Sequence, residues 1–418
     1  MAVNYSNRKM LLLGGTNSAY EIRDYADKHG ITLAATGKYP DTLLKRISDE
    51  SYDVDAIDVD GLVELVAEKH IDAIFTGCNE DVIPAALAAA ERCGLPHYCD
   101  FGQWDICMNK AKFKALCEAN GVPTAKRYYP ERLSEIERFP VVVKPADSCG
   151  SQGFAVCNNL EEIASAAERA VKFSRTETVL IEEYVPYDAV IIHYTLINGE
   201  VYFTGMSDKT SRRLGGTGSS VMALQLFPSK HIPAYLEKLD QKVRAMFKGV
   251  GMHDGAVWIE AFADNGRFWF NEMGYRFGGS MTYHPVRYFY GVDQLELMIR
   301  YALDGSIKEV PEVRELPGRR NYCIMPLHVA PCTIARVCGE EEIKSMPELY
   351  AYVPIHGVGD TVKATGTVSQ VFCYLHILYD SFEELRASLL KIASTLRVTG
   401  DDGEEKLFCL TDINGIGG

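Results

Sequence analysis

The stretch VVVKPADSCGSQGFAV, residues 141–156, joins an apolar strand pattern to a glycine-rich loop through a lysine. Three consecutive valines predict a strand that is covered on both faces, so Lys144 places an ammonium group at the mouth of a core. The loop that follows offers hydroxyl groups and a flexible backbone whose N–H groups can fold over phosphate oxygens. A glycine-rich hairpin turn without a ligand is the alternative, but it does not explain why a lysine ends the strand. The candidate anion-binding residues are Lys144, Ser148, Gly150, Ser151 and Gly153.

The chain has an ordinary globular composition, with 418 residues, 47% hydrophobic and 24% charged positions. This length suits about two to four domains with buried cores. The formal net charge of −14 repels a polyanionic backbone, so we expect no nucleic-acid partner. A run of about 18 apolar residues is missing, and the first residues do not resemble a signal peptide. These features favour a cytoplasmic protein with no membrane partner.

The twelve cysteines are scattered and form no CxxC pair at zinc-site spacing. A metal site or a disulfide framework is the alternative that such a number suggests. In a chain of this length, scattered cysteines are more often small buried hydrophobic residues in a reducing compartment.

Strand and helix patterns divide the chain into three parts. Residues 9–100 alternate strands and helices, which predicts βαβ units and a parallel sheet. From residue 139 onward, hairpins mix with helices, as in an α+β domain. A boundary is expected at 311–319, before a small mixed C-terminal domain. The predicted fold class is therefore α/β and α+β, with a parallel-sheet N-terminal domain, a two-part central region and a mixed C-terminal domain.

Two glutamates, Glu260 and Glu272, lie on a predicted hairpin with Asp264-Asn265-Gly266 at its turn. A three-residue turn with a left-handed glycine sets Glu260 opposite Phe270 and makes Glu272 its diagonal neighbour on the same face. The two carboxylates can then bind Mg²⁺ between them, with phosphate oxygens completing the shell. A two-residue Asn-Gly turn would place them on opposite faces. Solvated strand glutamates are the alternative, but the neighbours are apolar and aromatic, where an unpaired carboxylate is costly.

Arg276 follows Glu272 by four residues and precedes a glycine pair. An arginine beside glycines and near a metal can contact a phosphoryl or carboxylate oxygen with its forked guanidinium, which lysine does less well. A structural ion pair between this arginine and a glutamate is the competing interpretation.

Five motifs occur in a specific order: Lys110 ahead of a helix, VVVKPADSCGSQGF, VLIEEYVPYD, GAVWIEAF and FNEMGYRFGG. Together they resemble the ATP-grasp superfamily, in the branch shared by biotin carboxylase, the carbamoyl-phosphate synthetase large chain and the L-amino-acid ligases. Each motif alone is weak, but five in order are specific. The resemblance covers nearly the whole chain. It implies a pre-ATP-grasp, Rossmann-like domain over 1–108, an ATP-grasp domain over 109–312 with a lid over about 121–186, and a mixed α/β domain over 313–418.

The resemblance implies a role for each matching residue. Lys110 and Lys144 match the lysines that hold ATP phosphates, and residues 148–153 match the flexible loop that closes over them. Glu260 and Glu272 match the ligands of Mg²⁺, which Mn²⁺ can replace, and Arg276 matches the arginine that meets the transferred phosphoryl group or the acyl-phosphate. The adenine-binding hinge and the ribose-binding acid correspond to Glu182, Glu183, Tyr184, Val185 and Asp188.

The chain departs from the family pattern in two motifs. The usual PGxE after the hinge reads PYDA, so Asp188 would reach the ribose with a shorter side chain, and Tyr187 replaces a glycine. The usual ExNPR reads EMGYR, which puts Gly274 where an asparagine often completes a second magnesium shell. One magnesium ion with additional water ligands is compatible with this change.

These features predict an ATP- and Mg²⁺-dependent ligase that activates a carboxylate as an acyl-phosphate and couples it to an amine. A carboxylate is a poor electrophile, and phosphorylation gives it a leaving group. The lysines, the magnesium site and Arg276 supply the positioning and charge cancellation that phosphoryl transfer needs. The alternatives are a bicarbonate-activating or carbamoyl-phosphate synthetase-like enzyme, and an ATP-binding protein without turnover, which Gly274 suggests.

The substrates are expected to be a small-molecule carboxylate and an amine, and a homodimer is a family-level expectation. The stretch SDKTSRRLGGTGSS, residues 207–220, combines cationic side chains with glycines and hydroxyls. It is interpreted as a mobile anion-binding loop over the acceptor site, with Lys209 as a catalytic candidate, although a solvated surface loop fits equally well. The segments Gly15-Thr16-Asn17 and Cys78-Asn79-Glu80 are expected to face the same cleft, because ligands bind at the carboxyl ends of parallel strands.

Overall fold

The computed structural model describes residues 4–15, 17–39, 42–148, 152–214 and 220–417. Its N-terminal part contains a parallel four-stranded sheet in the order β3-β2-β1-β4, as the alternating strand and helix pattern predicts. The fully buried leucines of the first strand place this sheet between layers of helices. The elements are β1 (Lys9–Leu13), α1 (Ala19–His29), β2 (Thr32–Thr36), α2 (Leu43–Ile47), β3 (Glu50–Tyr52), α3 (Val59–Lys69), β4 (Ala73–Phe75), α4 (Ile83–Cys93) and α5 (Phe101–Met108).

A small antiparallel sheet in the order β5-β8-β6-β7 follows and carries one amphipathic helix. Buried residues of the helix 160–171 pack on Val141 and Val143, so no residue of the strand 141–145 is exposed. Burial on both faces is what the run of valines predicts. The elements are α6 (Lys110–Ala119), β5 (Arg127–Tyr128), β6 (Val141–Pro145), β7 (Ala155–Cys157), α7 (Leu160–Val171) and β8 (Val179–Glu183).

A nine-stranded sheet forms the centre of the molecule. Its strand order is β13-β12-β9-β10-β11-β14-β18-β16, with β20 added beside β14. The first half of this sheet comes from the middle of the chain. These elements are β9 (Asp188–Ile197), β10 (Glu200–Arg213), β11 (Ser220–Phe227), α8 (Ile232–Lys238), α9 (Asp240–Gly249), β12 (Gly255–Asp264), β13 (Arg267–Gly274), α10 (Tyr283–Tyr290) and α11 (Gln294–Asp304).

The C-terminal part continues the same sheet, because β11 pairs with β14. A three-stranded sheet, β17-β15-β19, lies beside it, and α13 packs on β18. The elements are β14 (Asn321–Val329), β15 (Cys332–Cys338), α12 (Glu340–Lys344), β16 (Leu349–Pro354), β17 (Thr361–Val362), β18 (Val371–Tyr379), α13 (Phe382–Thr395), β19 (Arg397–Gly400) and β20 (Leu407–Phe408). Short 3₁₀ helices cover Glu80–Val82, Pro130–Glu135, Val368–Gln370 and Ile413–Gly415.

The large sheet has one apolar face and one polar face. On the apolar face, Tyr194 and its neighbours pack against α8 and α9, where the Tyr194 hydroxyl contacts the hydroxyl of Tyr235 at 2.7 Å. Cross-strand pairing puts a different set of side chains on the opposite face, since directly paired residues share a side. This face carries Ser207, Lys209, Gln225, Trp258 and Glu260.

The turn between β12 and β13 differs from the three-residue turn that the sequence analysis expects. Asp264 pairs with Arg267, so the turn has two residues, and both adopt left-handed backbone conformations, with φ of 46° at Asn265 and 73° at Gly266. This is the geometry that an Asn-Gly pair favours in tight hairpins. The predicted register is therefore wrong at the turn.

The stretch 207–220 is also not a loop in its first half. Residues up to Arg213 belong to β10, and β11 starts at Ser220, so the segment forms the end of an antiparallel hairpin. Alternation along β10 turns Lys209 onto the polar face of the sheet while its neighbours point away. The loop prediction was wrong because charged and hydroxyl side chains at the end of a strand give the same sequence pattern as a solvated loop.

Two further observations concern disulfide bonds and membrane-spanning helices. None of the cysteines in the described ranges forms a disulfide bond. Among the helices of the described ranges, none is long and apolar enough to cross a membrane.

Tyr98 fastens the N-terminal part to the segment that follows β13. Its hydroxyl donates a hydrogen bond of 2.7 Å to the carbonyl of Tyr275, and the Tyr275 hydroxyl donates one of 2.7 Å to the carbonyl of Asp254. The two rings meet edge to face with centroids 5.1 Å apart. Both side chains are buried, so this contact fixes the backbone that leads directly into Arg276.

Replacing Tyr98→Phe should lower the free energy of unfolding by about 1–3 kcal/mol, because the buried carbonyl of Tyr275 loses its donor. The measurement is the thermal denaturation midpoint, which should fall by several degrees. Tyr129→Phe is the matched control, since that ring is 51% exposed. Equal midpoints for the two variants would contradict the role of this hydrogen bond.

Candidate active site

Lys144 lies at the end of the buried strand β6, where it is 7% exposed. Its ammonium group contacts Glu182 Oε2 at 2.9 Å and donates a hydrogen bond of 2.7 Å to Asn271 Oδ1. Glu182 belongs to β8, which pairs with β6, and Asn271 comes from the large sheet. The lysine therefore links the small sheet to the large one at the mouth of the core that the sequence predicts.

Lys114 is a charged residue of this site that the sequence analysis misses. It is fully buried, and its ammonium group contacts Glu182 Oε1 at 2.8 Å. Burial, together with repulsion from Lys144, lowers the pKa of Lys114 to about 8, although Glu182 opposes that shift. The signal was present in the sequence, since Lys110 and Lys114 are four residues apart and share one face of α6.

Lys110 begins α6, which Asn109 caps by accepting hydrogen bonds from the backbone N–H groups of Ala111 and Lys112. Its ammonium group contacts Glu272 Oε2 at 3.0 Å and donates a hydrogen bond of 2.7 Å to the carbonyl of Ser148. One lysine thus connects a predicted metal ligand to the beginning of the glycine-rich loop.

A β-bulge brings the two predicted metal ligands together despite the two-residue turn. A regular ladder from that turn would pair Glu260 with Asn271 and turn Glu272 to the other face. Instead, Asn271 is an extra residue, and Glu260 pairs directly with Glu272. Their side chains leave the sheet on one side, with Cβ atoms about 5 Å apart as in any direct cross-strand pair. The Asn271 amide also donates a hydrogen bond of 3.0 Å to Glu260 Oε1.

Lysines surround this carboxylate pair. Burial alone would raise the pKa of Glu272, but the charges of Lys110, Lys144 and Lys209 outweigh it and lower the pKa to about 2. Lys209 forms a close ion pair with Glu260, which raises the pKa of the lysine against the effect of its burial. Both carboxylates therefore lie beside lysines that a ligand can recruit.

The charge distribution fits a triphosphate with a divalent cation. Four lysines and three glutamates meet within this network, which leaves a surplus of positive charge for an anion. Within the described ranges, no group of three or more His, Cys, Asp or Glu side chains could hold a metal ion. Two carboxylates alone suit Mg²⁺ only when phosphate oxygens and water complete the octahedral shell. The residues present fit a metal that arrives with a nucleotide.

The glycine-rich loop is described at its two ends. The Ser148 hydroxyl donates a hydrogen bond of 3.1 Å to the carbonyl of Gln152. Gly153 has a φ of 71°, and a Cβ there would lie 2.8 Å from Pro145 Cγ and 3.0 Å from Phe173 Cδ2, so this position requires glycine. Gly150 and Ser151 lie outside the described residues.

The predicted adenine-binding segment follows β8. Glu182 is buried and engaged with Lys114 and Lys144, which hold its pKa below the ordinary value against the effect of burial. Glu183 is exposed, its backbone N–H donates to the carbonyl of Lys126 at 2.9 Å, and Tyr184 is 39% exposed. Val185 is buried. Asp188, the predicted ribose-binding residue, is the first residue of β9.

Arg276 reaches the N-terminal part of the molecule. It forms an ion pair with Glu80, and its Nη1 donates a hydrogen bond of 2.8 Å to the carbonyl of Phe277. The guanidinium also lies over the Trp258 ring, with Cζ 5.4 Å from the centroid. The competing interpretation of an arginine–glutamate ion pair is thus observed, and it orients the guanidinium on the polar face beside the carboxylate pair.

A further polar series extends from Lys209 along that face. Gln225 pairs with Lys209 across strands, and its amide donates a hydrogen bond of 2.7 Å to the Ser207 hydroxyl. Ser280 donates one of 3.3 Å to the Gln225 carbonyl oxygen. Asn17 donates one of 2.7 Å to the carbonyl of Gly279. The N-terminal segments around Asn17 and Glu80 therefore meet the polar face, where the sequence analysis expects an acceptor.

Comparison with known proteins gives a consistent set of relatives. A family model described as D-ala D-ala ligase C-terminus matches residues 104–205. The formate-dependent phosphoribosylglycinamide formyltransferase of Wolinella succinogenes is 25% identical over 276 residues, which cover 63% of this chain and 69% of that one. The match to the enzyme of the same name from Sulfurisphaera tokodaii is 26% identical and covers 43% of this chain and 48% of that one, about half of its length.

Two solved structures share the fold at low sequence identity. The biotin carboxylase domain of Hydrogenobacter thermophilus 2-oxoglutarate carboxylase, solved with MgADP and bicarbonate, has a TM-score of 0.80 at 19% identity. The similarity covers 96% of this chain and 91% of that one. The L-amino acid ligase of Bacillus licheniformis has a TM-score of 0.72 at 18% identity and is covered over its full length by 95% of this chain.

Lys114→Met should change how stability depends on pH. The folded protein releases the proton of Lys114 near pH 8, whereas the unfolded chain keeps it to about 10.5. The folded state therefore binds fewer protons in this window, so wild-type stability should rise relative to that of the variant between pH 8 and 10.5.

The measurement is the difference in the free energy of urea unfolding between wild type and variant across this pH range. The rise should not exceed about 3 kcal/mol. Lys112→Met is the matched control on the same helix, where the lysine side chain is 54% exposed, and it should not reproduce the rise. A flat difference for Lys114→Met would show that the lysine does not titrate in this window.

Proposed function

We propose, from the ATP-grasp fold of this chain and its ligase relatives, that it is an ATP- and Mg²⁺-dependent ligase that activates a carboxylate and couples it to an amine. The resemblance to ATP-grasp proteins that the sequence motifs carry is confirmed by the family match and by the shared fold. The observation that carries the proposal is the direct pairing of Glu260 with Glu272 inside a ring of lysines.

In this proposal the lysines exchange partners when the nucleotide binds. Lys110 and Lys209 each neutralise one metal-binding carboxylate in the ligand-free protein. Glu260 and Glu272 would hold a magnesium ion in place of these ion pairs, and the ion would supply a Lewis acid for phosphoryl transfer. Lys110 and Lys144 then become available to phosphate oxygens at the place where they already converge.

The hinge and the loop hold the rest of the nucleotide. The segment from Glu182 to Val185 contacts the adenine edge, and Asp188 contacts the ribose. Residues 148–153 close over the phosphates and exclude water, which protects an activated intermediate from hydrolysis. The domain limits that we propose are 1–108 for the pre-ATP-grasp domain, 109–312 for the ATP-grasp domain with its lid at about 121–186, and 313–418 for the C-terminal domain.

The reaction has two balanced steps. An oxygen of the substrate carboxylate takes the γ-phosphoryl group, the bond to the bridging oxygen breaks, and ADP leaves. The amine then forms a bond to the acyl carbon, inorganic phosphate leaves, and the amine gives up a proton. Arg276 and Lys209, on the polar face beside the carboxylate pair, offset the negative charge that develops in these steps.

The test is a screen of ADP release with pairs of carboxylates and amines, including the twenty L-amino acids, and mass detection of the joined product. Turnover that needs both an amine and a carboxylate supports the proposal. Turnover with bicarbonate alone would favour a carboxylating or carbamoyl-forming enzyme. ATP binding without ADP release under any pair would favour a binding protein without turnover.

Glu260→Gln and Glu272→Gln should each reduce carboxylate-dependent ADP release by at least about 100-fold, because each removes one anionic ligand of the metal. Glu200→Gln is the control, since that side chain is 64% exposed and pairs with Lys248 away from the site. Unchanged turnover in either test variant would remove the metal assignment. Magnesium titrations of ADP release distinguish weakened metal binding from a lower maximal rate.

A further inference from the structure

We propose that the indole N–H of Trp258, together with the Nε–H of Arg276, binds the carboxylate of the acyl substrate. This inference rests on the proposed function and names the residues that select the group to be activated. It assigns a binding role to the tryptophan of the GAVWIEAF motif, two residues before Glu260.

The first observation is a pair of adjacent donors without acceptors. Trp258 Nε1 and Arg276 Nε are both buried, and neither has a hydrogen-bond partner among the residues that the structure describes. Each terminal nitrogen of Arg276 has a partner, in Glu80 or in the carbonyl of Phe277, whereas Nε has none. Buried donors without partners are rare in folded proteins, because desolvating them is costly. The guanidinium of Arg276 lies over the Trp258 ring, with Cζ 5.4 Å from the centroid, so a single ligand with several acceptors can reach both donors.

The second observation is the position of these donors relative to the metal ligands. Trp258 lies two residues before Glu260 on β12, so both side chains leave the strand on the same face about 7 Å apart along it. Trp258 pairs with Gly274 just as Glu260 pairs with Glu272. The hairpin therefore presents two neighbouring cross-strand pairs, or rungs, on one face. The carboxylate rung is Glu260 with Glu272, and the donor rung is Trp258 with Gly274. A carboxylate bound at the donor rung lies beside the phosphates that the carboxylate rung recruits.

The third observation is the absence of a side chain at Gly274. A Cβ at this position would lie 2.4 Å from Trp258 Nε1 and 2.6 Å from its Cε2. Any other residue would push the indole out of its place under the guanidinium. The glycine thus leaves the space that the indole of Trp258 occupies, so the position of the indole depends on Gly274.

The chemistry of the two donors favours a small carboxylate. Both groups can only donate hydrogen bonds, and one of them is cationic, so the ligand has to provide acceptors and negative charge. The ion pair with Glu80 reduces the net charge of the arginine, which suits a monoanion better than a doubly charged phosphate. A phosphate group shares the acceptor chemistry and is therefore a separate arm of the test.

The direct test observes the indole N–H signal by NMR. The chain has three tryptophans, Trp104, Trp258 and Trp269, and Trp258→Phe identifies the signal of interest. With Mg²⁺ and a non-hydrolysable ATP analogue present, a pool of the twenty L-amino acids or sodium acetate should shift the Trp258 signal. The corresponding L-amino-acid amides, which lack the carboxylate, should not. Failure of every carboxylate to shift this signal, or a shift with inorganic phosphate alone, overturns the proposal.

Trp258→Phe also separates binding from a structural role. The variant keeps an aromatic ring beside Arg276 but loses the N–H donor and part of the packed ring area. A modest fall of the denaturation midpoint is therefore expected for either role, and the KM for the carboxylate decides between them. The KM for the carboxylate found in the ADP-release screen should rise about 10- to 100-fold, as expected for a lost hydrogen bond to a charged group. A lower midpoint with an unchanged KM would make the tryptophan structural and overturn the inference.

Gly274→Ala gives an independent variant, because the added methyl group displaces the indole. It should raise the same KM while affinity for the Mg²⁺-bound ATP analogue is retained. Gly249→Ala, where an added Cβ meets no atom within 4 Å, is the matched control. If wild type releases no ADP but its indole signal shifts with carboxylates, the proposed function fails and the binding site stands. If wild type turns over and both Trp258→Phe and Gly274→Ala leave KM unchanged, the function stands and this inference fails.

Discussion

The single extra residue in β13 determines the chemistry of the whole polar face. A two-residue Asn-Gly turn starts the hairpin in a register that would separate Glu260 and Glu272 by the thickness of the sheet. The bulge at Asn271 reverses the alternation between the turn and the site, because one inserted residue exchanges the two faces of a strand. From the turn to Ala261 and Phe270, the hairpin keeps the register that the turn imposes. Beyond the bulge, at Glu260 and Glu272, the register is shifted by one residue.

The same bulged residue also connects the charged groups. Asn271 accepts a hydrogen bond from Lys144 and donates one to Glu260, so it contacts both a lysine that we propose for phosphate binding and a carboxylate that we propose for metal binding. Buried lysines and glutamates are costly unless each has a partner. Here every glutamate of the network has a lysine within contact distance, which allows the ligand-free protein to keep the charges in place. Ligand binding then replaces existing partners and does not have to bring new charges out of water.

The sequence carried the individual groups of the site but not the register that joins them. Lys144 was predictable because a lysine at the end of a valine run has few structural reasons to be there. Glu260 and Glu272 were predictable as a pair, yet the predicted turn was wrong, and the shared face results from a bulge that no local pattern announces. Lys114 could have been found from its helical spacing to Lys110. Glu80 was expected to face the cleft, but its ion pair with Arg276 could not be predicted, because that contact depends on how the parallel sheet meets the large one.

Alternation along the hairpin separates two tasks on one structural element. In the function proposed above, the rung formed by Glu260 and Glu272 binds a metal and phosphates, whereas the neighbouring rung, formed by Trp258 and Gly274, contacts the group to be activated. Because the rungs are two residues apart, a substitution at Trp258 or Gly274 alters the second without shifting the first. Only a change of register would disturb both together. Under the two proposals, the bulge sets the nucleotide site, and the residues of the next rung set which carboxylate is accepted.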